Sequence, residues 1–410
     1  MTDPRGSSPP RAVRTERTGT RLARGVAVAV LASAALSVFP SLYCARAAKP
    51  LLTASPEIEM LFVRGAAFQG EEHTERALFD TGSRRTDGEW TLATYTFTAM
   101  AAAQTYVRHA ETFEETSMIE RRAVERAINP NAHQFDIEGW QGEDALYSLG
   151  DDRHGHGMYL AYLGLALGWD RVVHPEGVWS DLHDGVVAAL ERRLAQAPTG
   201  VLASYPDEYF PADAAVAALA IDLHARIVGR SALSKLDAWE QRFRAHCIDP
   251  QSGLLWQTVG AAGKDERSRA RASGTALTAW LLAGARPQLS SDLYQALQRT
   301  RYRDVLGFAA VREYAAGDSS PGDRDSGPLV LGLSPSATAF TLGAARAHRD
   351  DRSFTRLYAS AHLLGAPVEG DQRRNFVIAG PLGDAILAAA VTSLDAETYA
   401  NLGKLVGRSR

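Results

Sequence analysis

The feature that most constrains this chain is a bland helix that recurs six times. The stretches are WTLATYTFTAMAAAQTYV from Trp90, GHGMYLAYLGLALG from Gly155, ADAAVAALAIDLHARIVG from Ala212, ASGTALTAWLLAGA from Ala272, SPSATAFTLGAARAH from Ser334 and GPLGDAILAAAVTS from Gly380. Small residues around most of a helix let neighbours approach on several sides, so such a helix is expected to be buried. More polar segments with one apolar stripe lie between them: VWSDLHDGVVAALERRLAQA, ALSKLDAWEQRFRAHC, SSDLYQALQRTRYRDVL, SFTRLYASAHLLG and the short DAETYANLGKLVG. Alternation of the two types at a regular spacing is the mark of a repeat array. The expected fold is all-α: an (α/α)6 toroid of six inner and about six outer helices, with short β-hairpins on one rim. The inner helices are expected to start near residues 91, 156, 212, 273, 335 and 382, all pointing the same way. GLLWQTVG (253–260) and FAAVREY (308–314) read as rim strands. An open α-solenoid is the alternative; six units without a polar capping repeat favour closure.

The N-terminus reads differently. Arg5, Arg11, Arg14, Arg17, Arg21 and Arg24 precede an apolar run, Gly25 to Tyr43, followed by Ala45-Arg46-Ala47. A basic region, an apolar region and an A-x-A site describe an export signal, with a retained anchor as the rival because the run is long. Residues 1–47 are therefore expected to be a signal or anchor, and residues 48–410 one domain outside the cytoplasm, periplasmic or extracellular. Contact with membrane is expected only through residues 25–43. A single cysteine would remain after cleavage, Cys247, which reads as a buried structural thiol. The net charge of −4 gives no general attraction to nucleic acid. There is no G-x-S-x-G, Walker loop, dinucleotide fingerprint or H-E-x-x-H. A small molecule or glycan is the expected partner, with no cofactor.

Chemistry is concentrated in the loops that lead into the bland helices. SYPDEYFPAD (204–213) crowds three acids and three aromatics before the third helix. Asp213 abuts the apolar run and reads as a helix cap or first-turn acid. Asp207 and Glu208 lie too far upstream to cap. Adjacent carboxylates beside aromatics can have one pKa raised, as a general acid requires. Tyr205 and Tyr209, with Phe210, offer an apolar platform to a ring or isoprenoid. Asp325, in GDSSPGDRDSGPLV, is the expected partner of Asp207 or Glu208 across a shared cavity. Asp318, Asp323 and Asp325 resemble a calcium loop only loosely, because Leu329 stands where the bidentate glutamate belongs.

Asp151, Asp152, His154 and His156 form LGDDRHGHGMY. An H-x-H pair beside carboxylates has the residue types of a metal site, yet no third ligand stands at a recognised spacing. Asp152, His154 and His156 are accordingly read as substrate contacts, and no metal is expected. Arg267, Arg269 and Arg271 alternate, so an extended segment would aim them to one side. Arg269 and Arg271 are read as contacts for a substrate carboxylate or sulfate, or as partners of rim acids. Asp384 after GPLG reads as a first-turn acid.

The six-unit pattern over residues 55–405 resembles the six-hairpin toroid superfamily, which is rich in glycosidases, polysaccharide lyases and sugar epimerases. HGMYLAYLGLALGWD (156–170) followed by YFPADAAVAALAIDLHARIVG (209–229) is similar to the paired inner helices of the linalool dehydratase/isomerase family. That family is also toroidal and acts on terpene alcohols with cysteines among its catalytic residues. Here Ala212 and Asp213 occupy the stretch where a cysteine would stand. The first resemblance implies an exported carbohydrate-active enzyme performing hydrolysis, elimination or epimerisation with paired carboxylates. The second implies a lyase on a terpenoid or hydrophobic alcohol. A non-catalytic glycan-binding or scaffold protein is the third reading. Cavity polarity separates the first two, acids and arginines on the rim favouring sugar.

Overall fold

The computed structural model describes residues 16–72, 78–262, 268–370 and 372–408. The described chain is mostly helical with small antiparallel sheets. The helices run α1 (Glu16–Arg46), α2 (Lys49–Leu52), α3 (Pro56–Glu72), α4 (Arg84–Arg108), α5 (Phe113–Ile128), α6 (Pro130–Gly139), α7 (Gly157–Val173), α8 (Ser180–Gln196) and α9 (Pro211–Ile227). They continue with α10 (Leu233–Cys247), α11 (Ala272–Leu281), α12 (Pro287–Thr300), α13 (Pro335–Ala347), α14 (Asp351–Gly365), α15 (Gly380–Val391), α16 (Ala396–Ala400) and α17 (Leu402–Arg408).

The six bland segments are α4, α7, α9, α11, α13 and α15. Every residue of α7 is buried, as the all-round apolar pattern requires. Each of the six touches the next in sequence, and α15 touches α4. Small residues allow these approaches: a Cβ on Gly343 of α13 would come within 2.5 Å of the Trp280 ring on α11. The amphipathic helices lie against this group. α3 packs on α15 and α4, α5 on α4 and α7, α8 on α7 and α9, α10 on α9, α12 on α11 and α14 on α13.

Several details depart from expectation. The last polar segment, read as an outer partner, instead forms α16 and α17 beneath the inner helices, with α17 against α9 and α7. Tyr399 anchors it: its hydroxyl donates to Asp222 Oδ2 at 3.0 Å, and Arg226 lies over its ring. The place beside α15 and α4 is taken by α3. Helix α12 ends at Thr300, and residues read as its continuation form strand β3 (Tyr302–Val305) against β4 (Phe308–Arg312). β4 matches the expected strand, whereas residues 253–260 contribute only isolated bridges at Leu255 and Trp256.

Among the described residues no helix is long and apolar enough to cross a membrane. Helix α1 runs through the expected signal, parts of whose side chains lie outside the described residues, and it packs on α14. Ala48 and Leu51 join the main core. Cys44 and Cys247 are both buried, and neither joins a disulfide.

Candidate functional site

The first turns of all six inner helices face one cavity of about 850 Å³. Its wall is mostly apolar, with Phe79, Trp90, Phe97, Phe210, Leu277 and Phe340 among the large side chains. The Phe97 ring stacks on Trp280 with centroids 5.5 Å apart, which fixes the shape of that wall. Set into it is a polar cluster of three carboxylates from three different segments: Glu89 on α4, Asp213 on α9 and Asp325 in the loop before α13.

Glu89 lies in the second turn of α4. Tyr205 Oη donates to its Oε1 at 2.5 Å, and Arg85 Nε donates to the same oxygen at 3.1 Å. Arg85 is clamped in turn by a bidentate pair with Glu208, both contacts at 2.7 Å, and its guanidinium sits 3.5 Å from the Tyr205 ring centroid. Burial raises the Glu89 carboxyl above its ordinary value and Asp325 adds to this, while Tyr205 and Arg85 act in the other direction.

Asp213 does not cap its helix. Phe210 holds the N-cap position without a side-chain bond and Pro211 opens the first turn, so Asp213 is a first-turn residue whose carboxylate turns inward. Ser204 Oγ donates to its Oδ2 at 2.6 Å. Burial, then the charges of Glu89 and Asp325, push its carboxyl up to about 7, against the opposing effects of Ser204 and Arg85. Asp325 lines the cavity with its side chain exposed there, and the protein packed around it raises its carboxyl, with Asp323 adding and Arg271, Trp90 and Arg85 opposing. Tyr162 faces the same acids; burial and their charges hold its phenol well above the ordinary value, so it stays protonated.

The other residues singled out from the sequence are distributed as follows. Tyr205 and Arg271 line the cavity with Asp325. Asp207 occupies the tight turn between β1 (Ala203–Tyr205) and β2 (Glu208–Tyr209), exposed and with φ 62, and neither it nor Glu208 lines the cavity. Tyr209 packs on the core, its carbonyl accepting from Val259 N at 3.1 Å. Arg271 is buried and already paired, with Glu313 Oε1 at 2.5 Å and Asp323 Oδ1 at 2.9 Å. Arg269 pairs with Asp318 at 2.9 Å on the exposed rim. Both arginines thus meet rim acids; Arg267 lies outside the described residues. Asp152 pairs with Arg192 at 3.1 Å. His154 and His156 stand outside the cavity, against Glu143. Asp384 accepts from Phe376 N and Asn375 Nδ2, both at 2.8 Å, which ties the strand Arg373–Phe376 to α15.

Sequence reasoning missed Arg85, Glu89 and Tyr162. The available signal was RRTDGE directly before Trp90, an i,i+4 Arg–Glu pair in the position where other units carry their polar loop. No protein-family model matches this chain.

Proposed function

We propose that the helices form an (α/α)6 toroid and that its cavity carries out acid–base elimination, hydration or isomerisation of a mostly apolar alcohol. Support for the toroid comes from the unbroken succession of inner-helix contacts and from the six first turns that share one cavity. Support for the chemistry comes from one observation above all: three carboxylates, Glu89, Asp213 and Asp325, line one predominantly apolar pocket, where burial pushes the Asp213 carboxyl up to about 7. A sugar would leave many hydroxyls without partners on such a wall, and unpaired buried polar groups are costly. The resemblance to the linalool dehydratase/isomerase family points the same way, with a carboxylic acid where a thiol would stand.

Each residue then has a role. Protonated Asp213, oriented by Ser204, delivers its proton to the substrate hydroxyl as the C–O bond breaks and water leaves. Asp325, open to the cavity, accepts the proton from the neighbouring carbon as the C=C bond forms. Glu89 is held by Tyr205 and Arg85, and its charge positions and tunes the other two. Pairs of acids pushed to different protonation states are the general means of dividing such roles. The reverse sequence hydrates an alkene. Export through residues 25–43 belongs to the same proposal, motivated by the basic and apolar pattern alone.

The test is a turnover screen of the full chain on allylic and tertiary alcohols and on oligosaccharides, followed by mass spectrometry. Loss or gain of water from an alcohol is expected. Asp213→Asn and Asp325→Asn should each cut that turnover by roughly 10²–10⁴ while the fold is retained. Glycan turnover with inert alcohols would refute the reading.

A further inference from the structure

A second cluster lies outside the cavity, on the loop between α6 and α7. His154 Nδ1 lies 2.6 Å from Glu143 Oε2, and His156 Nε2 lies 3.3 Å from Glu143 Oε1. The three ligand atoms fall within 4.8 Å of one another. The other nitrogen of His156, Nδ1, lies 2.7 Å from Asp136 Oδ2, and both of those side chains are fully buried.

This arrangement has a proton-counting consequence. Asp136 takes the Nδ1–H of His156, so in the neutral ring Nε2 carries a lone pair. That lone pair faces a Glu143 oxygen, so two acceptors oppose each other there unless a cation lies between them or the His156 ring carries an extra proton. His154 has no second partner fixing its tautomer, so its Nδ1 can serve Glu143 as a donor or share a cation with it. Zinc bonds of about 2.0–2.1 Å at tetrahedral angles set neighbouring ligand atoms about 3.3 Å apart. The His156–Glu143 Oε1 separation already has that value at 3.3 Å, whereas the His154–Glu143 Oε2 one, at 2.6 Å, has to open by about 0.7 Å.

The surroundings suit a metal as well. A buried carboxylate on the far nitrogen is the recurring device that fixes tautomer and raises basicity in a ligating histidine. Among the described residues Oδ1 of Asp136 meets no hydrogen-bond donor, so the carboxylate is oriented by the His156 contact. The Trp140 ring lies against both imidazoles, with centroids 4.9 and 4.7 Å away, and limits their rotation. The loop is braced from below: Arg193 of α8 donates to the carbonyls of Ser148, Asp151 and Gly155 at 2.7, 2.6 and 3.1 Å. Gly155 has no room for a side chain, since a Cβ would meet Ala203 O at 2.1 Å. His154 is 42% exposed, so an ion there would have a way in and a position open to water.

We propose that Glu143, His154 and His156 form a binding site for a divalent transition metal, Zn²⁺, with Asp136 as the positioning residue. Two imidazoles and one carboxylate make a borderline donor set that suits Zn²⁺ and its close neighbours over Ca²⁺ or Mg²⁺. The spacing in the sequence hid this, because the third ligand arrives from residue 143 across a turn. His156 directly precedes α7, so the ion would fasten the residue 136–156 segment to the start of an inner helix.

The test uses the untagged full chain, stripped with chelator and titrated with Zn²⁺ by calorimetry and with Co²⁺ by visible absorption. One equivalent should bind, with Co²⁺ bands of four- or five-coordinate intensity. His154→Ala, which touches an exposed ring, and Glu143→Gln should each abolish the bands without unfolding the chain. Asp136→Asn should weaken Zn²⁺ binding by roughly 10–100-fold. His174→Asn, in the separate Glu120–Asp170–His174 cluster, should leave the stoichiometry unchanged. Absence of stoichiometric binding, or bands that survive both ligand substitutions, would overturn the site whatever the cavity does.

Discussion

Replacement of Asp213 by asparagine should stabilise the protein, and only above mildly acidic pH. The carboxyl moves from 3.8 to about 7 on folding. Because the folded value is the higher one, the folded state holds the proton more tightly. The associated stability is complete below the unfolded pKa, about pH 4, and is lost as pH rises through about 7. Three units at about 1.4 kcal/mol each put the full loss at roughly 4 kcal/mol. Between about pH 5 and about pH 8 the part lost is roughly 2–3 kcal/mol. Asparagine keeps the shape and a partner for Ser204 but cannot ionise, so the advantage of Asp213→Asn over the parent should grow by that amount across this interval. With an unfolding entropy of about 2.1 cal/mol/K per residue, the difference in melting temperature should widen by about 3 °C. Thermal melts and urea titrations of both proteins at the two pH values measure it. A constant difference, or a variant that is less stable at the higher pH, would show that Asp213 does not titrate as the cavity geometry requires.

The remaining expectations concern the support of that site. Tyr205→Phe removes the hydrogen bond that holds the Glu89 carboxyl down, so any pH–rate limb set by Glu89 should move to higher pH, readable from the profile of kcat/KM. Asp207→Asn and Glu208→Gln should leave turnover within about an order of magnitude, and stability within about 1 kcal/mol, because the first is an exposed turn residue and the second a half-exposed ion-pair partner. Gly343→Ala places a methyl against the Trp280 ring and should cost about 1–3 kcal/mol in a urea titration, with no effect expected of the same change at Gly25.

The helices were legible because burial on all sides leaves a compositional trace that one chain can show. α7, α9, α11 and α13 begin at Gly157, Pro211, Ala272 and Pro335, close to the starts read from the sequence. α4 begins earlier, at Arg84, because Ser83 accepts from Thr86 N and the polar RRTDGE continues as helix where it faces the cavity mouth. The acid cluster was not legible for a different reason. Nothing in spacing links residues 89, 213 and 325; only the packing of α4, α9 and the loop before α13 does. Asp213 shows how far a local rule reaches. An acid before an apolar run reads as a cap or a first-turn acid; Phe210 and Pro211 fill the cap and first positions, so Asp213 is the first-turn acid, and what the rule does not supply is that its carboxylate turns toward Ser204.

Three acids near one another are costly, and the architecture supplies part of the compensation. Each helix N-terminus carries the equivalent of roughly half a positive charge, felt within its first turn. Six such ends converge on this cavity, whereas toward the far end of α9 its Asp222 and Arg226 meet Tyr399. The acids therefore stand at the end where anions are favoured. That field does not prevail everywhere. Asp213 sits in a first turn, where the dipole alone would lower its pKa, yet burial and two neighbouring carboxylates carry it up to about 7. Glu89 differs in having Arg85 and the Tyr205 hydroxyl directly on its carboxylate. The difference between the two is thus a matter of partners rather than of helix position. Substitution of Arg85 by methionine should shift the division, raising Glu89 and Asp213 together and moving the pH optimum upward; an unchanged optimum would mean that the guanidinium serves only to hold the β1–β2 turn through Glu208.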